Sequence, residues 1–426
     1  MNATRLLDAW LDTMRGADGY GGPIAHWWQQ SLMHTAAGLD WRYEGIVAGY
    51  LSLWRRSGVE HWLDKAQRAG ADLLAGQCPN GHFHHSGFEA NPSTAGTPHE
   101  AACDIGLLRL AQALRDIDNP AWSRYAECAR RNFQQFYIGQ LWDETVRAFR
   151  DDMRQPSFVP NKAATAAEVC FLLADLEQDS GWIEQYALPN LDHILAHQVS
   201  ANDKLHGGIL QNSFGKRKIY KFFPIYIARC VPALLRGYQW QQNERFLQSA
   251  IDAMAFIKRW LQPNGTLPTV IYGNGEVNCQ PNWVAPLGDV LYSAEILSSF
   301  QHFKFPSLLT RLLAGQDASG GIQTATGFAQ QAGRPNSQRP DVRDLLHVVG
   351  WCDKAFRYLA TVGDLPDPET PVELGIFETA CTFRGKHMRF LESQTEIVIT
   401  ANQQVQYRWR KGAPQPDIAT PAFWLR

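Results

Sequence analysis

Apolar residues recur at helical spacing along most of the chain, and the periodic runs come in pairs. The first run of a pair ends near a glutamine that is followed by a glycine-containing turn, as in LLAGQCPNGHF and LLAGQDASGGI. Pro, Asn and Gly directly after a periodic run are helix-stop and turn signals. A second and more apolar run follows the turn, for example AATAAEVCFLLADL from Ala163. The pattern predicts helical hairpins, each made of an outer helix, a long loop and an inner helix.

Six such units follow one another, with short turns between them. They cover residues 4–57, 60–117, 120–178, 182–243, 244–303 and 305–362. A pitch of about 60 residues exceeds that of common solenoid repeats, and six hairpins can close into a ring that needs no capping repeats. The loops inside the units are long, and long loops in compact folds are usually functional. We predict an all-α fold, an (α/α)6 toroid, over residues 1–362.

The period of the pattern changes near Asp364. Segments such as FETACTFRG, TEIVITAN and QVQYRWRKG alternate apolar and polar residues and are rich in β-branched and aromatic side chains, which is typical of β-strands. We expect residues 363–426 to form a small antiparallel β appendage on the ring, too short to be a catalytic domain by itself. We also expect strands to be confined to this appendage.

Composition argues against several classes of protein. The net charge of −2 is unlike that of a general nucleic-acid binder, which usually has a strongly basic face. No stretch reaches the roughly 18 apolar residues of a membrane span, and Arg229 interrupts the apolar run 222–235. The first residues lack the pattern of a secretory signal, and the eight cysteines are scattered without a CxxC pair. We expect a cytoplasmic protein with reduced thiols.

The long loops lead into the N-termini of the inner helices, which form one rim of the predicted ring. Helix N-termini carry partial positive charge and free N–H donors, which suit a polar ligand. Polar residues are expected there as helix caps, but cations oppose the helix dipole, and their recurrence favours a ligand-binding rim. The residues predicted to bind substrate on this rim are Trp41, Arg42, His84, Asn161, Lys162, Lys218, Tyr220, Trp283, Arg343 and Trp351.

The six-hairpin arrangement resembles the (α/α)6-toroid glycosidase-like superfamily, and the resemblance covers residues 4–362. The superfamily includes glycoside hydrolases, unsaturated glucuronyl hydrolases, polysaccharide lyases and sugar epimerases. The phrase CDIGLLRLAQAL at 103–114 looks like the unsaturated glucuronyl hydrolase phrase in which an aspartate, here Asp104, serves the site. HVVGWCDKAFRYLA looks like a late helix of that family, although residues 346–349 replace the family's Arg-Gly-Asn before Gly-Trp. The resemblance implies an enzyme that acts on carbohydrate.

Sugar chemistry requires particular groups, and the rim contains them. Glycoside hydrolysis uses two carboxyl groups that flank the bond, whereas elimination or epimerisation uses a base near C5 and a cation on the uronate. The candidate catalytic residues are Asp104, Glu100, Glu44, His99, His347 and Tyr43. Arg42, Lys162 or Arg343 would clamp a substrate carboxylate. Because the rim has more cations than anions, we predict an acidic, uronate-containing saccharide as substrate and glycoside hydrolysis as the reaction, with lyase or epimerase chemistry as alternatives.

Two expectations about geometry follow. Asp104 lies four residues after Glu100, so both carboxyls face the same way on one helix. Two close carboxyls should split their pKa values and leave one protonated. Ring closure should also bring seven residues from five units to one central cavity: Trp41, Glu44, His99, Asp104, Lys162, Trp283 and His347.

Other classes of function stay open. The cluster GHFHHSGFE (His82, His84, His85 and Glu89) lacks the helical HExxH spacing and a cysteine partner, so we interpret it as a sugar-binding loop and expect no metal or cofactor. The segment QCPNGHF approximates a repeat of terpene cyclases and prenyltransferases, but no DxDD motif occurs. A non-catalytic carbohydrate-binding protein on the same ring is a third possibility, because fold does not imply function. The sugar and the oligomeric state stay open.

Overall fold

The computed structural model describes residues 2–25, 32–35, 37–84, 99–201, 203–328, 346–383 and 385–420. Three residues singled out above, His85, Glu89 and Arg343, lie outside these ranges. Among the described residues, no helix combines the length and the apolar character that crossing a membrane would require.

The helices alternate along the chain between an outer and an inner layer. In chain order they are α1 (Ala3–Thr13), α2 (Arg42–Ser57), α3 (Glu60–Ala75), α4 (Glu100–Arg115), α5 (Trp122–Asn132), α6 (Pro160–Glu177), α7 (Leu188–Leu195), α8 (Pro224–Ala228), α9 (Val231–Gln241), α10 (Glu244–Trp260), α11 (Leu287–Ile296), α12 (Pro306–Ala314) and α13 (Val349–Val362). π-Helical turns extend α5 over Phe133–Leu141 and precede α7 over Trp182–Ala187. Helices α2, α4, α6, α8 with α9, α11 and α13 are the inner set.

The inner helices close into a ring. Each packs against the next in the order α2, α4, α6, α9, α11, α13, and α13 packs extensively against α2. Glycines allow this close approach: a β-carbon at Gly45 of α2 would clash with Asp353 of α13, and one at Gly288 of α11 would clash with the backbone of Lys354. The predicted all-α toroid of six hairpins is therefore confirmed.

Burial separates the two layers in the way the sequence pattern predicts. The inner helix α6 is buried along most of its length, whereas the outer helix α5 buries one face, as expected for an amphipathic surface helix. Local signals set the helix ends. The side chain of Asn2 caps α1 by accepting from the backbone N–H of Thr4 at 3.0 Å, and Gly58, with φ of 70°, ends α2 in the left-handed conformation.

The recurring glutamine at the end of an outer helix joins that helix to the next one. Gln77, Gln198 and Gln316 each use the side-chain amide nitrogen to donate to two carbonyls, one in their own glycine turn and one on the following outer helix. The acceptor pairs are Gly81 and Cys128, Gly207 and Ser249, and Gly320 and Ala3, at 2.8–3.0 Å. Since Ala3 begins α1, the bond from Gln316 links the last outer helix to the first. The glutamine turn is thus a structural element of the ring.

Short strands occur in the loops of the ring, so the expectation that strands are confined to the tail is wrong. The loop strands are β1 (Arg15–Gly16), β2 (Gly19–Tyr20), β3 (Gly22–Ala25), β4 (Leu32–Thr35), β5 (Trp142–Asp143), β6 (Ala148–Phe149), β7 (Ser157–Phe158), β8 (Asn212–Phe214), β9 (Arg217–Ile219), β10 (Lys221–Phe222), β11 (Val270–Tyr272), β12 (Val277–Asn278), β13 (Asn282–Trp283) and β14 (Ala325–Thr326). They pair as antiparallel ribbons of two or three strands. Such pairing satisfies the backbone groups of long loops that pack on a protein surface.

The tail forms a five-stranded antiparallel sheet with strands in sequential order. The strands are β15 (Phe377–Phe383), β16 (Lys386–Glu392), β17 (Glu396–Ala401), β18 (Gln404–Arg410) and β19 (Ile418–Ala419). The sheet is attached to the ring through Glu392, which is fully buried. Its carboxylate accepts from Trp10 Nε1 of α1 at 2.7 Å and lies 3.2 Å from Nδ1 of His347. Lys411 Nζ of the tail lies 2.6 Å from the same carboxylate.

Candidate active site

A chain of alternating charges crosses the centre of the ring, and each inner helix position contributes one member. The members, in order of contact, are Arg109, Glu168, Arg229, Glu44, Arg357 and Asp289. Arg229, between α8 and α9, joins Glu168 of α6 (Nη1–Oε2, 2.6 Å) to Glu44 of α2 (Nη2–Oε2, 2.9 Å). Buried charges require such partners, because an uncompensated buried ion is strongly destabilising.

Glu44 is the middle carboxylate of this network. Arg357 of α13 donates to Glu44 Oε1 at 2.7 Å and to Asp289 Oδ1 of α11 at 2.7 Å. Burial by itself would raise the pKa of Glu44, but the guanidinium groups of Arg229 and Arg357 outweigh it and hold that pKa below its usual value. Glu44 is therefore ionised and fixed in position by two arginines.

A cavity of about 340 Å³ lies at the N-terminal ends of the inner helices, and the network forms part of its wall. One side is aromatic. Trp41 and Trp351 line the cavity with ring centroids 6.3 Å apart, and the His99 ring lies 5.0 Å from that of Trp41. Trp41 Nε1 donates to the carbonyl of Gly350. Flat aromatic faces beside polar groups suit the binding of a sugar ring.

Asp353 of α13 lines the same cavity but has a different environment from Glu44. The residue is 1% exposed. Among the described residues, the cation that contacts its carboxyl is Lys354, whose Nζ lies 3.3 Å from Oδ1. Burial raises the pKa of Asp353 to about 8; Lys354 lowers it in part, and the negative charge of Asp289 raises it further. The cavity thus contains a carboxyl group that is protonated at neutral pH beside Glu44, which is ionised.

The opposite side of the cavity carries an ion pair with partial access to solvent. Lys162 Nζ of α6 lies 2.7 Å from Asp151 Oδ1, and both side chains are about a quarter exposed. Asp151 forms no salt bridge with an arginine in the described part of the chain. Asn161 and Tyr226 line the cavity beside them. These groups remain accessible to a ligand in a way that the arginine-bound carboxylates are not.

The structure brings some of the predicted residues together at this cavity. Those that line it are Trp41, Glu44, His99, Asn161, Lys162 and Trp351. Arg343 lies outside the described residues. The convergence predicted for seven residues holds for Trp41, Glu44, His99 and Lys162 and is wrong for Asp104, Trp283 and His347.

Arg42 and Tyr43 were predicted to serve the substrate, but both are held by neighbours inside the ring. Arg42 is 1% exposed and binds Asp40 with two nitrogens (Nε–Oδ1, 2.7 Å; Nη2–Oδ2, 2.9 Å). Its remaining nitrogen donates to the Tyr20 carbonyl. The hydroxyl of Tyr43 donates to Asp72 Oδ2 at 3.2 Å. Because these bonds occupy their polar groups away from the cavity, neither side chain lines it.

Glu100 and Asp104 are buried between α4 and α5 and do not line the cavity. Glu100 Oε2 accepts from Asn132 Nδ2 at 2.6 Å and lies 3.0 Å from Nδ1 of His82. Asp104 is 0% exposed, and neither of its oxygens has a hydrogen-bond partner among the described residues. Burial, with a smaller effect of Glu100, raises the pKa of Asp104 well above its usual value. The expected pKa rise is present, but Asp104 does not line the central cavity.

Five further candidates lie elsewhere. Nε2 of His347 is 2.7 Å from Asp317 Oδ2, so this ring belongs to the contact between ring and tail. Trp283 is 2% exposed and packs on Trp351, with centroids 5.5 Å apart. Two others are exposed and lie outside the cavity: Lys218 of β9, which donates to the Ala196 carbonyl, and Tyr220, which lies between β9 and β10. His84 is exposed at the turn after α3 and does not line the cavity either.

Several cavity residues were not among the candidates. They are Asp151, Arg229, Asp289, Asp353, Lys354 and Arg357. A signal was present for two of them, because Arg229 and Arg357 each stand inside an apolar helical run, in YIARCV and AFRYLA. Arginine is rarely buried without a partner, so its place in such a run indicates an internal ion pair.

Comparisons with known proteins define the fold. No family model matches the chain, and no curated protein matches it. Similar solved structures include a D-mannose isomerase (12% identity, TM-score 0.60, covering 84% of this chain and 96% of that one). They also include the unsaturated glucuronyl hydrolase of Bacillus sp. GL1 (11%, 0.55, 85% and 94%) and the GH76A α-1,6-mannanase of Salegentibacter sp. HEL1_6 (11%, 0.52, 84% and 99%). The chain therefore has the (α/α)6-toroid fold, and the predicted resemblance to this superfamily is confirmed for the fold.

Proposed function

We propose that the central cavity binds a carbohydrate and that the protein is a glycoside hydrolase in which Asp353 donates the proton. The observation that carries this proposal is the difference between Asp353 and Glu44 in one cavity. Asp353 has a pKa of about 8 and no arginine partner among the described residues, whereas Glu44 is ionised between two arginines. Carboxyls whose environments separate their pKa values are typical of acid and base roles in glycosidases.

Asp151 is the proposed second carboxylate. The described carboxylates that line the cavity are Glu44, Asp151, Asp289 and Asp353, and two of them are held by Arg357. Asp151 is bound by Lys162 and is partly exposed, so water can reach it. In this proposal Asp353 protonates the leaving oxygen, and Asp151 takes a proton from the attacking water. Glu44 and Asp289 keep the arginines in place.

We infer an acidic substrate from the charge balance of the cavity. Its cations are Lys162, Arg229, Lys354 and Arg357. When Asp353 is protonated, these cations outnumber the remaining carboxylates that line the cavity by one, and Lys354 is the ammonium left without an ionised partner among the described residues. A uronate carboxylate would compensate it. The Bacillus sp. GL1 neighbour, named for unsaturated glucuronyl hydrolysis and glycosaminoglycan degradation, supports this substrate class. A cavity lined with lysine and arginine side chains does not favour a terpene cyclase, because its carbocation intermediates are repelled by cations and stabilised by aromatic faces.

A sugar isomerase or epimerase is the second candidate. His99 lines the cavity beside Trp41 and can transfer a proton to or from a bound sugar. The D-mannose isomerase with the same fold supports this alternative. It predicts turnover of a free monosaccharide without release of a new reducing end, and it predicts that His99→Gln abolishes this turnover.

The test is to incubate the purified protein with uronate-containing oligosaccharides and to measure new reducing ends. We expect release, with a rate that falls as the pH rises through about 8 because Asp353 must be protonated. Carboxyl-reduced oligosaccharides serve as the matched neutral substrates and should react more slowly. Equal rates on the uronate-containing and the carboxyl-reduced oligosaccharides would contradict the proposal of an acidic substrate. Binding of the oligosaccharides without any reaction would favour a non-catalytic carbohydrate-binding protein.

A further inference from the structure

A basic hairpin, residues 212–222, lies beside the cavity and has no role in the mechanism above. It contains β8, β9 and β10, and its cations are Lys216, Arg217, Lys218 and Lys221. None of them forms a salt bridge with a carboxylate in the described part of the chain. All four side chains are exposed. Unpaired exposed cations of this density create a local positive potential on a chain whose net charge is −2.

The basic hairpin also exposes aromatic surface. Tyr220 is 55% exposed and Phe214 is 46% exposed. Lys221 pairs with Tyr272 across β10 and β11, with its Nζ 5.9 Å from the centre of that ring. Arg217, Lys218, Tyr220, Lys221 and Tyr272 line a surface depression of about 410 Å³, in which Glu276 is the single acidic residue among the described ones. Aromatic rings can stack on the faces of a uronate sugar, and neighbouring cations can bind its carboxylate.

The basic hairpin is continuous with the cavity. Gln211 and Asn212 line the cavity, and Asn212 is the first residue of β8. The backbone N–H of Gln211 donates to the carbonyl of Lys221 at 2.8 Å, which joins the cavity wall to the strand that carries this lysine. If one sugar unit of a polymer occupies the cavity, the units that extend out of the cavity would therefore contact the basic hairpin.

We propose that the basic hairpin is a second binding site, which holds the part of an acidic polysaccharide chain that extends beyond the cavity. This inference rests on the proposed function for the position of the polymer, and it adds that the substrate is longer than the cavity. Single-stranded nucleic acid also binds aromatic and cationic surfaces. The position next to the cavity favours the polysaccharide, because the proposed function places a uronate sugar in that cavity, and nucleic-acid binding is an outcome of the test.

The experiment compares two double variants with the same change of charge. Arg217→Glu with Lys218→Glu alters the basic hairpin; Lys304→Glu with Lys386→Glu alters two exposed lysines elsewhere. Titration calorimetry measures binding of polygalacturonate and of its disaccharide to each, in protein that also carries Asp353→Asn. We expect the hairpin variant to lose roughly tenfold in affinity for the polymer relative to the disaccharide. We expect the control variant to keep the ratio of the parent protein.

Three results would overturn the inference. They are an unchanged ratio in the hairpin variant, an equal loss in the control variant, and a single-stranded RNA that binds more tightly than the polymer through the same lysine and arginine. Circular dichroism shows whether each variant is folded. Failure of the proposed function has a different signature: the hairpin variant would lose polymer binding as expected while the parent protein releases no reducing ends.

Discussion

Asp104 on α4 and Asp353 on α13 are both almost completely buried, and burial raises the pKa of both carboxyls. Their surroundings differ in two respects. Asp353 lines the central cavity and has an ammonium group, Lys354, at 3.3 Å. Asp104 lines no described cavity, and neither of its oxygens has a partner in the part of the chain that the structure describes. A raised pKa thus indicates a candidate proton donor only where a substrate can reach the group.

Glu44 adds a third case to this comparison. It is also buried, yet its pKa is lowered, because Arg229 and Arg357 outweigh the effect of burial. These three carboxyls are therefore a compensated carboxylate, a neutral acid that faces a cavity, and a neutral acid that faces the protein interior. Each carboxyl should respond differently to removal of its charge.

The largest expected effect separates the two aspartates by activity. Asp353→Asn keeps the shape of the side chain but removes the proton donor, so turnover should fall by about 10²–10⁴-fold. Asp104→Asn, the matched change outside the cavity, should leave turnover nearly unchanged. Initial rates of reducing-end release measure both. If Asp104→Asn abolished turnover and Asp353→Asn did not, the roles assigned to the two aspartates would be reversed.

The second expected effect concerns the compensated carboxylate. Glu44→Gln leaves Arg229 and Arg357 close together without the charge between them, and breaking a buried ion pair costs about 3–5 kcal/mol in free energy of unfolding. Urea denaturation measures this loss. Glu378→Gln, which removes the partner of Arg389 in an exposed pair, is the control and should change stability little. A small loss in Glu44→Gln would mean that water, not the arginines, compensates Glu44.

A third effect tests the contact between ring and tail. Burial lowers the pKa of His347, but Glu392 and Asp317 outweigh it and raise that pKa to about 9. A histidine with a raised pKa stabilises the fold fully below its unfolded pKa of about 6.5, and this stabilisation is lost as the pH rises through about 9. The shift corresponds to about 3 kcal/mol.

Replacement of His347 removes this titration. The free energy of unfolding of His347→Gln, measured between pH 6 and 9.5 (about the range the two pKa values span), should be lower than that of the parent protein at pH 6. The difference should narrow towards pH 9.5. A constant difference across this range would show that the histidine is not charged in the folded protein.

The smallest expected effect is on stability at Asp104. Because its pKa is raised in the folded protein, Asp104 lowers stability progressively as the pH rises above about 3.9, its value in the unfolded chain. Asp104→Asn removes this titration, so the variant should match the parent protein near pH 4 and exceed it by about 1–3 kcal/mol at alkaline pH. Urea denaturation at the two pH values is the measurement. A less stable variant at alkaline pH would indicate a partner for the ionised carboxylate.

The sequence was sufficient for the ring and for part of the cavity, because these depend on local signals. Hairpin boundaries follow from periodic apolar runs, and Trp41, His99 and Lys162 stand at the starts of inner helices that ring closure brings together. Arg42 was misassigned although its partner Asp40 is two residues away. That spacing indicates a local ion pair and therefore a guanidinium already in use.

The charge network was not predictable in the same way. Arg229 and Arg357 bind Glu44 across 185 and 313 residues of sequence, and no local pattern shows which distant charges will meet. The place of Asp104 illustrates the converse. The sequence around Asp104 resembles that of a family in which the matching aspartate serves the active site. In this ring, however, α4 is oriented so that Asp104 faces α5. Helix rotation of this kind is set by packing between helices and not by a short motif.

The seam between α2 and α13 determines when the cavity can exist during synthesis of the chain. Helix α2 leaves the ribosome before α13, which is the last of the described inner helices. Until Arg357 has been added, Glu44 has one of its two arginines, and Asp353 and Trp351 are absent from the cavity wall. The nascent protein therefore carries five hairpins with an open side, and the wall of the cavity is completed only when the sixth hairpin arrives.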